Sequence, residues 1–188
     1  MEAFVSFLLR KVYRSIAIPK ELIDIAFNKT VADVKYHLPN IKEATVKERI
    51  EHNENELALF LFRLGCELHV NKLESHKSQI HWLLKELCSC ELYFNNNIAT
   101  GFYIIHGQGT IIGSRNNIGK GFIIHQGCTI GHKKNGEGSG VTIGDDVTVY
   151  CNSSILGDIT IEDNVVIGAH NLISIDVKSN TKIIAQNK

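Results

Sequence analysis

The chain has 188 residues with 20 basic and 20 acidic side chains, a formal net charge of zero and 44% hydrophobic content, enough material for a core in one or two domains. No basic run exceeds Lys133-Lys134, which argues against a nucleic-acid or membrane-surface partner, and no segment is long and apolar enough to span a bilayer. The opening MEAFVSFLLRKVYR carries its charge behind its apolar residues and lacks a small-residue cleavage site, so it predicts a short helix and not a signal peptide. Five cysteines (66, 88, 90, 128 and 151) without framework spacing point to a reducing, cytoplasmic setting. Cys88-x-Cys90 is too closely spaced for the usual zinc pair, so no metal is expected.

Residues 1–90 read as an α-helical domain for packing and oligomer contact. Lys20 to Lys35 carries Leu22, Ile23, Ile25, Ala26 and Val34 ahead of a break at Pro39. Glu54 to Val70 is apolar enough to be largely buried, and Ser75 to Cys88 sets Ile80, Leu83, Leu84 and Leu87 on one stripe. His52, His69, His76 and His81 read as surface or half-buried histidines.

Residues 91–188 follow a different rule. Twelve branched aliphatic residues recur at a basic spacing of six: Ile98, Ile104, Ile112, Ile118, Ile124, Ile130, Ile143, Val149, Ile155, Ile161, Ile167 and Ile173. A period of six fits neither a helix nor an isolated strand, so each hexad is one flat face of a coil and three faces make one turn of a prism. The fifth residue of each hexad, Cys128 among them, also points inward. Fourteen of the fifteen glycines lie from Gly101 onward, and those directly after an aliphatic residue (113, 119, 131, 144 and 168) are expected at corners needing backbone angles that a side chain penalises. Asn116, Asp145, Asp146, Asp163 and Asn164 read as turn formers, not catalysts. Two residues are added between Ile104 and Ile112, and thirteen separate Ile130 from Ile143, extruding the loop HKKNGEGSG.

The stretch from Cys90 to Val147 resembles the left-handed parallel β-helix acyltransferases built from hexapeptide repeats, and specifically their serine O-acetyltransferase-like branch. Glu91, then His106 fifteen residues later in the hexad with the insertion, then Gln126 twenty residues beyond and Thr129-Ile130-Gly131, reproduce that branch's spacing. The fold expected is α+β: an N-terminal helical domain, then a left-handed parallel β-helix with an extruded loop. The resemblance implies acetyl-CoA as co-substrate, His106 as general base and Glu91 as the carboxylate that orients it, because an imidazole of pKa near 6.5 can accept a hydroxyl proton at cellular pH. It further implies oxyanion donors among the backbone amides of residues 127–131, and cofactor contacts at Gln126, Gly131, His132, Lys133, Lys134, Cys151 and Ala169. The expected assembly is a homotrimer, or a dimer of trimers, with the cofactor groove between neighbouring coils.

Acceptor positions depart from the branch. Enzymes that acetylate free serine carry an aspartate before the base and an Arg-His pair late in the loop, where this chain has Ile105, Ser139 and Gly140. Without charges to match an ammonium and a carboxylate, a sugar of a surface polysaccharide or its precursor is the favoured acceptor. Serine O-acetylation for cysteine synthesis is the alternative within the class. A non-catalytic assembly protein is the alternative outside it, suggested by the shortened ending Ile184-Ala185-Gln186-Asn187-Lys188.

Overall fold

The computed structural model describes residues 1–134 and 137–184; the shortened ending therefore lies, beyond Ile184, outside the described residues. Five helices come first: α1 (Glu2–Leu9), α2 (Lys20–His37), α3 (Glu43–His52), α4 (Glu54–Val70) and α5 (Glu74–Cys88). The first is shorter than the opening segment suggests. The sequence reading has no counterpart of α3, whose weakly apolar stretch buries only Val46 and Ile50. Helix α4 is the hub against which α2, α3 and α5 pack, and eleven of its residues are buried, including Phe60, Phe62 and Leu64. Its entry is capped by Asn53, whose Oδ1 accepts the Asn55 N–H at 2.9 Å.

Among the described residues fourteen short strands follow, all paired in parallel and sorted into three faces. Face A holds β1 (Glu91–Leu92), β4 (Ile111–Ile112), β7 (Thr129–Gly131), β10 (Ser154–Leu156) and β13 (Leu172–Ile173). Face B holds β2 (Asn97–Ile98), β5 (Asn117–Ile118), β8 (Thr142–Ile143) and β11 (Thr160–Ile161). Face C holds β3 (Tyr103–Ile105), β6 (Ile123–His125), β9 (Thr148–Val149), β12 (Val166–Ile167) and β14 (Lys182–Ile183). Ile112 pairs with Ile130 and Ile98 with Ile118, so like residues stack coil on coil, as the hexad period requires. All twelve periodic aliphatic residues are buried, and so are Phe102, Phe122, Cys128 and Val147 at the fifth positions. The chain thus folds as the β-helix expected behind a helical front end.

Corners are made differently from the expectation. Glycines 113, 119, 131, 144 and 168 do not have positive φ; after four of them the left-handed residue lies two positions further on, at Arg115, Gly121, Asp146 and His170. What Gly119 and Gly144 provide is clearance, since a Cβ would stand 2.6 Å from the Gly144 carbonyl oxygen and 2.8 Å from the Asp163 amide nitrogen respectively. The acidic corner residues do act as turn formers: Asp145 Oδ1 accepts the Lys120 N–H and Asp163 Oδ1 the Asp145 N–H, each at 2.7 Å.

Candidate active site

The edge where face C turns into face A carries half of the predicted site, both candidate catalytic residues among it. Successive turns are tied along it by backbone bonds: Gly109 N–H to Ser89 O (2.8 Å), Gly127 N–H to Gln108 O (3.0 Å), Asn152 N–H to Gln126 O (2.9 Å) and His170 N–H to Cys151 O (3.0 Å). Gln108, Gln126, Cys151 and Ala169 therefore form one column, with each glycine, asparagine or histidine that follows the last three in a left-handed conformation. His106 stands at the top of this column. It directly follows β3, its side chain is exposed, and its φ of 53° turns the chain into the two-residue insertion. Below it, Ile105 pairs with His125, whose ring stacks on Tyr150 at 4.7 Å between centroids. Burial, and secondarily the proximity of His106, lowers the pKa of His125, which favours a neutral imidazole beside the candidate base.

Glu91 lies half-buried just past the same edge, but its carboxylate is engaged by Lys85 Nζ at 2.9 Å. Among the described residues no hydrogen bond or ion pair joins it to His106. Lys85 sits in the last turn of α5, six positions earlier, and the left-handed Ser89 that ends this helix folds the chain back so that the two charges meet. The carboxylate separates two grooves. One, about 310 Å³, is bounded by Lys85, Ser89, Cys90, Gly109 and Thr110; the other, about 340 Å³, runs down face A past Ile111, Gly113, Thr129 and Gly131 to His132 and Leu156.

The remaining predicted residues lie across face A. Gly131 ends β7, and His132, Lys133 and Lys134 leave at the far edge, where face A turns into face B. His132 Nε2 is 3.0 Å from Ser114 O, while its Nδ1 is buried without a partner among the described residues. Lys133 Nζ donates to Ser174 O at 3.3 Å. Ser139 and Gly140 re-enter at that same far edge: Gly140 donates its N–H to Asp158 Oδ1 at 3.0 Å and lies close against the Arg115 carbonyl. So within one chain the predicted cofactor set splits between two edges, and Ile105 and Ser139-Gly140 do not share a pocket.

Two of the expected oxyanion donors are already committed. The amides of Gly127 and Thr129 are spent on the carbonyls of Gln108 and Ser153, each at 3.0 Å, because a parallel coil uses such groups to hold the next turn. The Gln126 side chain, half-buried at the same edge, makes no hydrogen bond to a described residue and leaves its carboxamide available. Sequence reasoning missed Asn55 and Glu54, which reach this loop from α4: Asn55 Oδ1 accepts the Gly107 N–H at 3.0 Å, and Glu54 Oε1 the Gln108 side-chain N–H at 3.3 Å. No periodicity or spacing links residues 54–55 to 107–108.

Three faces of short parallel strands with a polar column at one edge make a β-helix of the hexapeptide-repeat kind, and residues 140–174 match the bacterial transferase hexapeptide family of six repeats. The serine acetyltransferase of Staphylococcus epidermidis is 33% identical over 128 residues, covering 68% of this chain and 60% of that protein. That of Helicobacter pylori is 28% identical over 128 residues, covering 68% of this chain and 75% of its own. The chain thus spans about 60% of the length of the staphylococcal relative. Among solved structures, the Neisseria gonorrhoeae serine acetyltransferase in complex with serine superimposes with a TM-score of 0.78 at 19% identity, covering 98% of this chain and 80% of that one. A serine acetyltransferase in complex with CoA gives 0.70 at 18% identity, covering 96% and 70%. In sequence the chain is similar to serine acetyltransferases, and in fold it is similar to their solved structures.

Proposed function

We propose that this protein is an acetyl-CoA-dependent O-acetyltransferase in which His106 is the general base. The observation that carries the reading is the placement of an exposed His106 at the head of the column of Gln126, Cys151 and Ala169. In this mechanism the imidazole takes the acceptor's hydroxyl proton as the oxygen attacks the thioester carbonyl. The tetrahedral intermediate then collapses, the carbon–sulfur bond breaks, and the imidazolium returns the proton to the departing CoA thiolate. Gln126 is positioned to donate its carboxamide N–H to the developing oxyanion, in place of the committed amides of Gly127 and Thr129. Glu91 acts on the imidazole only after leaving Lys85.

Serine is the acceptor that the relatives favour, and it displaces the sugar favoured on sequence grounds. The sugar preference treats Ile105, Ser139 and Gly140 as one uncharged pocket, yet these residues lie at opposite edges of face A in a single chain. They can come together only between copies. Such pairing also fits the exposed Tyr93, Ile111 and Leu172 along that face, and it supports a homotrimer whose cofactor groove lies between coils. Helix contacts would then allow a dimer of trimers. The test is thiol release from acetyl-CoA with L-serine and with a panel of sugars and nucleotide sugars. Turnover of serine is expected; turnover of sugars with serine inert restores the sugar reading, and no release with any acceptor favours a non-catalytic assembly role.

A further inference from the structure

Asn55 is the second residue of α4, far in sequence from the loop it touches. Its amide N–H is fixed by the Asn53 side chain at 2.9 Å, and its own Oδ1 accepts the Gly107 N–H at 3.0 Å. That N–H belongs to the peptide joining His106 to Gly107, so the bond sets the plane of the peptide leaving His106. His106 is a non-glycine residue at φ 53°, a conformation that persists only where its surroundings enforce it. Gly107 is buried, and a Cβ there would approach Ile104 Cγ2 to 2.8 Å, so the turn closes tightly against β3 and leaves no space for a side chain at this position. The other supports act further along: Glu54 on the Gln108 side chain, Ser89 O on the Gly109 N–H, and Gly107 O on the Thr110 N–H.

We infer that Asn55 is a positioning residue for His106, through which the helical front end holds the base in its left-handed turn. The inference rests on the reading of His106 as general base. Asn55→Ala removes the acceptor for the Gly107 N–H and lets the peptide rotate, which should lower kcat on the order of 10- to 10²-fold while the KM for acetyl-CoA changes little. Asn55→Asp keeps an oxygen in place and adds a negative charge near the imidazole. It should recover most of the lost kcat and move the rising limb of the pH–rate profile to higher pH, because the carboxylate favours the imidazolium. A residue that only supports the fold would not lower kcat in Asn55→Ala while leaving the KM and the folded state at parent values.

The experiment measures kcat, KM and the pH profile of the full chain with acetyl-CoA and serine, beside His106→Gln. Parent-like kcat in folded Asn55→Ala, with His106→Gln inactive, overturns the positioning role and leaves the base intact. Full activity of His106→Gln overturns both. If Asn55→Ala does not fold, Asn55→Ser decides, because its shorter side chain gives up the bond to the Gly107 N–H without adding charge: a lowered kcat at parent-like KM supports the inference and a parent-like kcat overturns it.

Discussion

Asp33 and Arg63 form a buried two-pronged ion pair, with Arg63 Nε 2.7 Å from Oδ2 and NH2 2.8 Å from Oδ1. Neither group stops there. Asp33 Oδ1 also accepts the Gly101 N–H at 2.8 Å and the Phe102 N–H at 3.3 Å, while Arg63 donates to the carbonyls of Ile98 (2.7 Å) and Ala99 (2.9 Å). One pair of side chains, from α2 and α4, thus satisfies four backbone groups at the corner where face B turns into face C of the first coil. That corner leads directly into β3 and His106.

Removing either partner leaves a buried charge and unmatched backbone groups together. Asp33→Ala is expected to destabilise the chain by about 3–5 kcal/mol, and Arg63→Met to cost a similar amount. Urea unfolding followed by circular dichroism checks both. A double variant that is no worse than either single one identifies the pair as a single unit. A loss below about 1 kcal/mol for Asp33→Ala contradicts the account.

Two histidines make stability depend on pH in a defined direction. Burial lowers the pKa of His81, which stacks on Phe94 at 4.0 Å, and burial followed by His106 lowers that of His125. Each folded-state pKa therefore lies below the unfolded value of 6.5, and the unfolded chain binds more protons as the pH falls. Their contribution is present above pH 6.5 and is lost as the pH drops through the folded-state values. Thermal midpoints measured from pH 7.5 down to 5 should fall, and His125→Gln should fall less steeply than the parent. Parallel slopes would remove His125 from this effect.

The period of six made the prism legible, because a buried branched residue at each hexad is a requirement of the coil itself. Glu54 to Val70 was legible as a helix for a similar reason, its near-continuous apolar content. Helix α3 was not, since two buried residues in ten give no clear stripe. For the candidate site, spacing located His106 and Gln126 on one edge. It did not foresee that Lys85 would take the Glu91 carboxylate, or that Asn55 would reach Gly107. Both contacts depend on how helix ends dock against the first coil, which no local pattern records. Spacing put Ile105, Ser139 and Gly140 in their hexads but not at opposite edges of face A, because it says which hexad a residue occupies and not which edge faces which.

His106 and Glu91 should respond unequally to substitution. His106→Gln is expected to lower kcat by the roughly 10²- to 10⁴-fold typical of a lost general base, with the β-helix intact by circular dichroism. Glu91→Gln breaks an ion pair with Lys85, whose side chain is 55% exposed, and should cost less than about tenfold. Steady-state thiol release compares the two. Equal losses would mean that the carboxylate leaves Lys85 and bonds the imidazole during turnover, and Lys85→Met should then leave activity at the parent level or above.

Gln126 offers the last separation of roles. Its carboxamide is unbonded among the described residues, one coil below His106, and the neighbouring Gly127 amide is committed to Gln108. If that carboxamide donates to the oxyanion, its bond strengthens only as charge develops on the thioester oxygen. Gln126→Ala should then lower kcat on the order of 10²-fold or more and leave the KM for acetyl-CoA nearly unchanged. Gln126→Glu keeps the shape, replaces the donor by an anion and should be at least as damaging. A contact made equally in the ground state gives the opposite pattern, a raised KM with kcat preserved. That outcome would assign Gln126 to cofactor binding alone and move the oxyanion donor elsewhere.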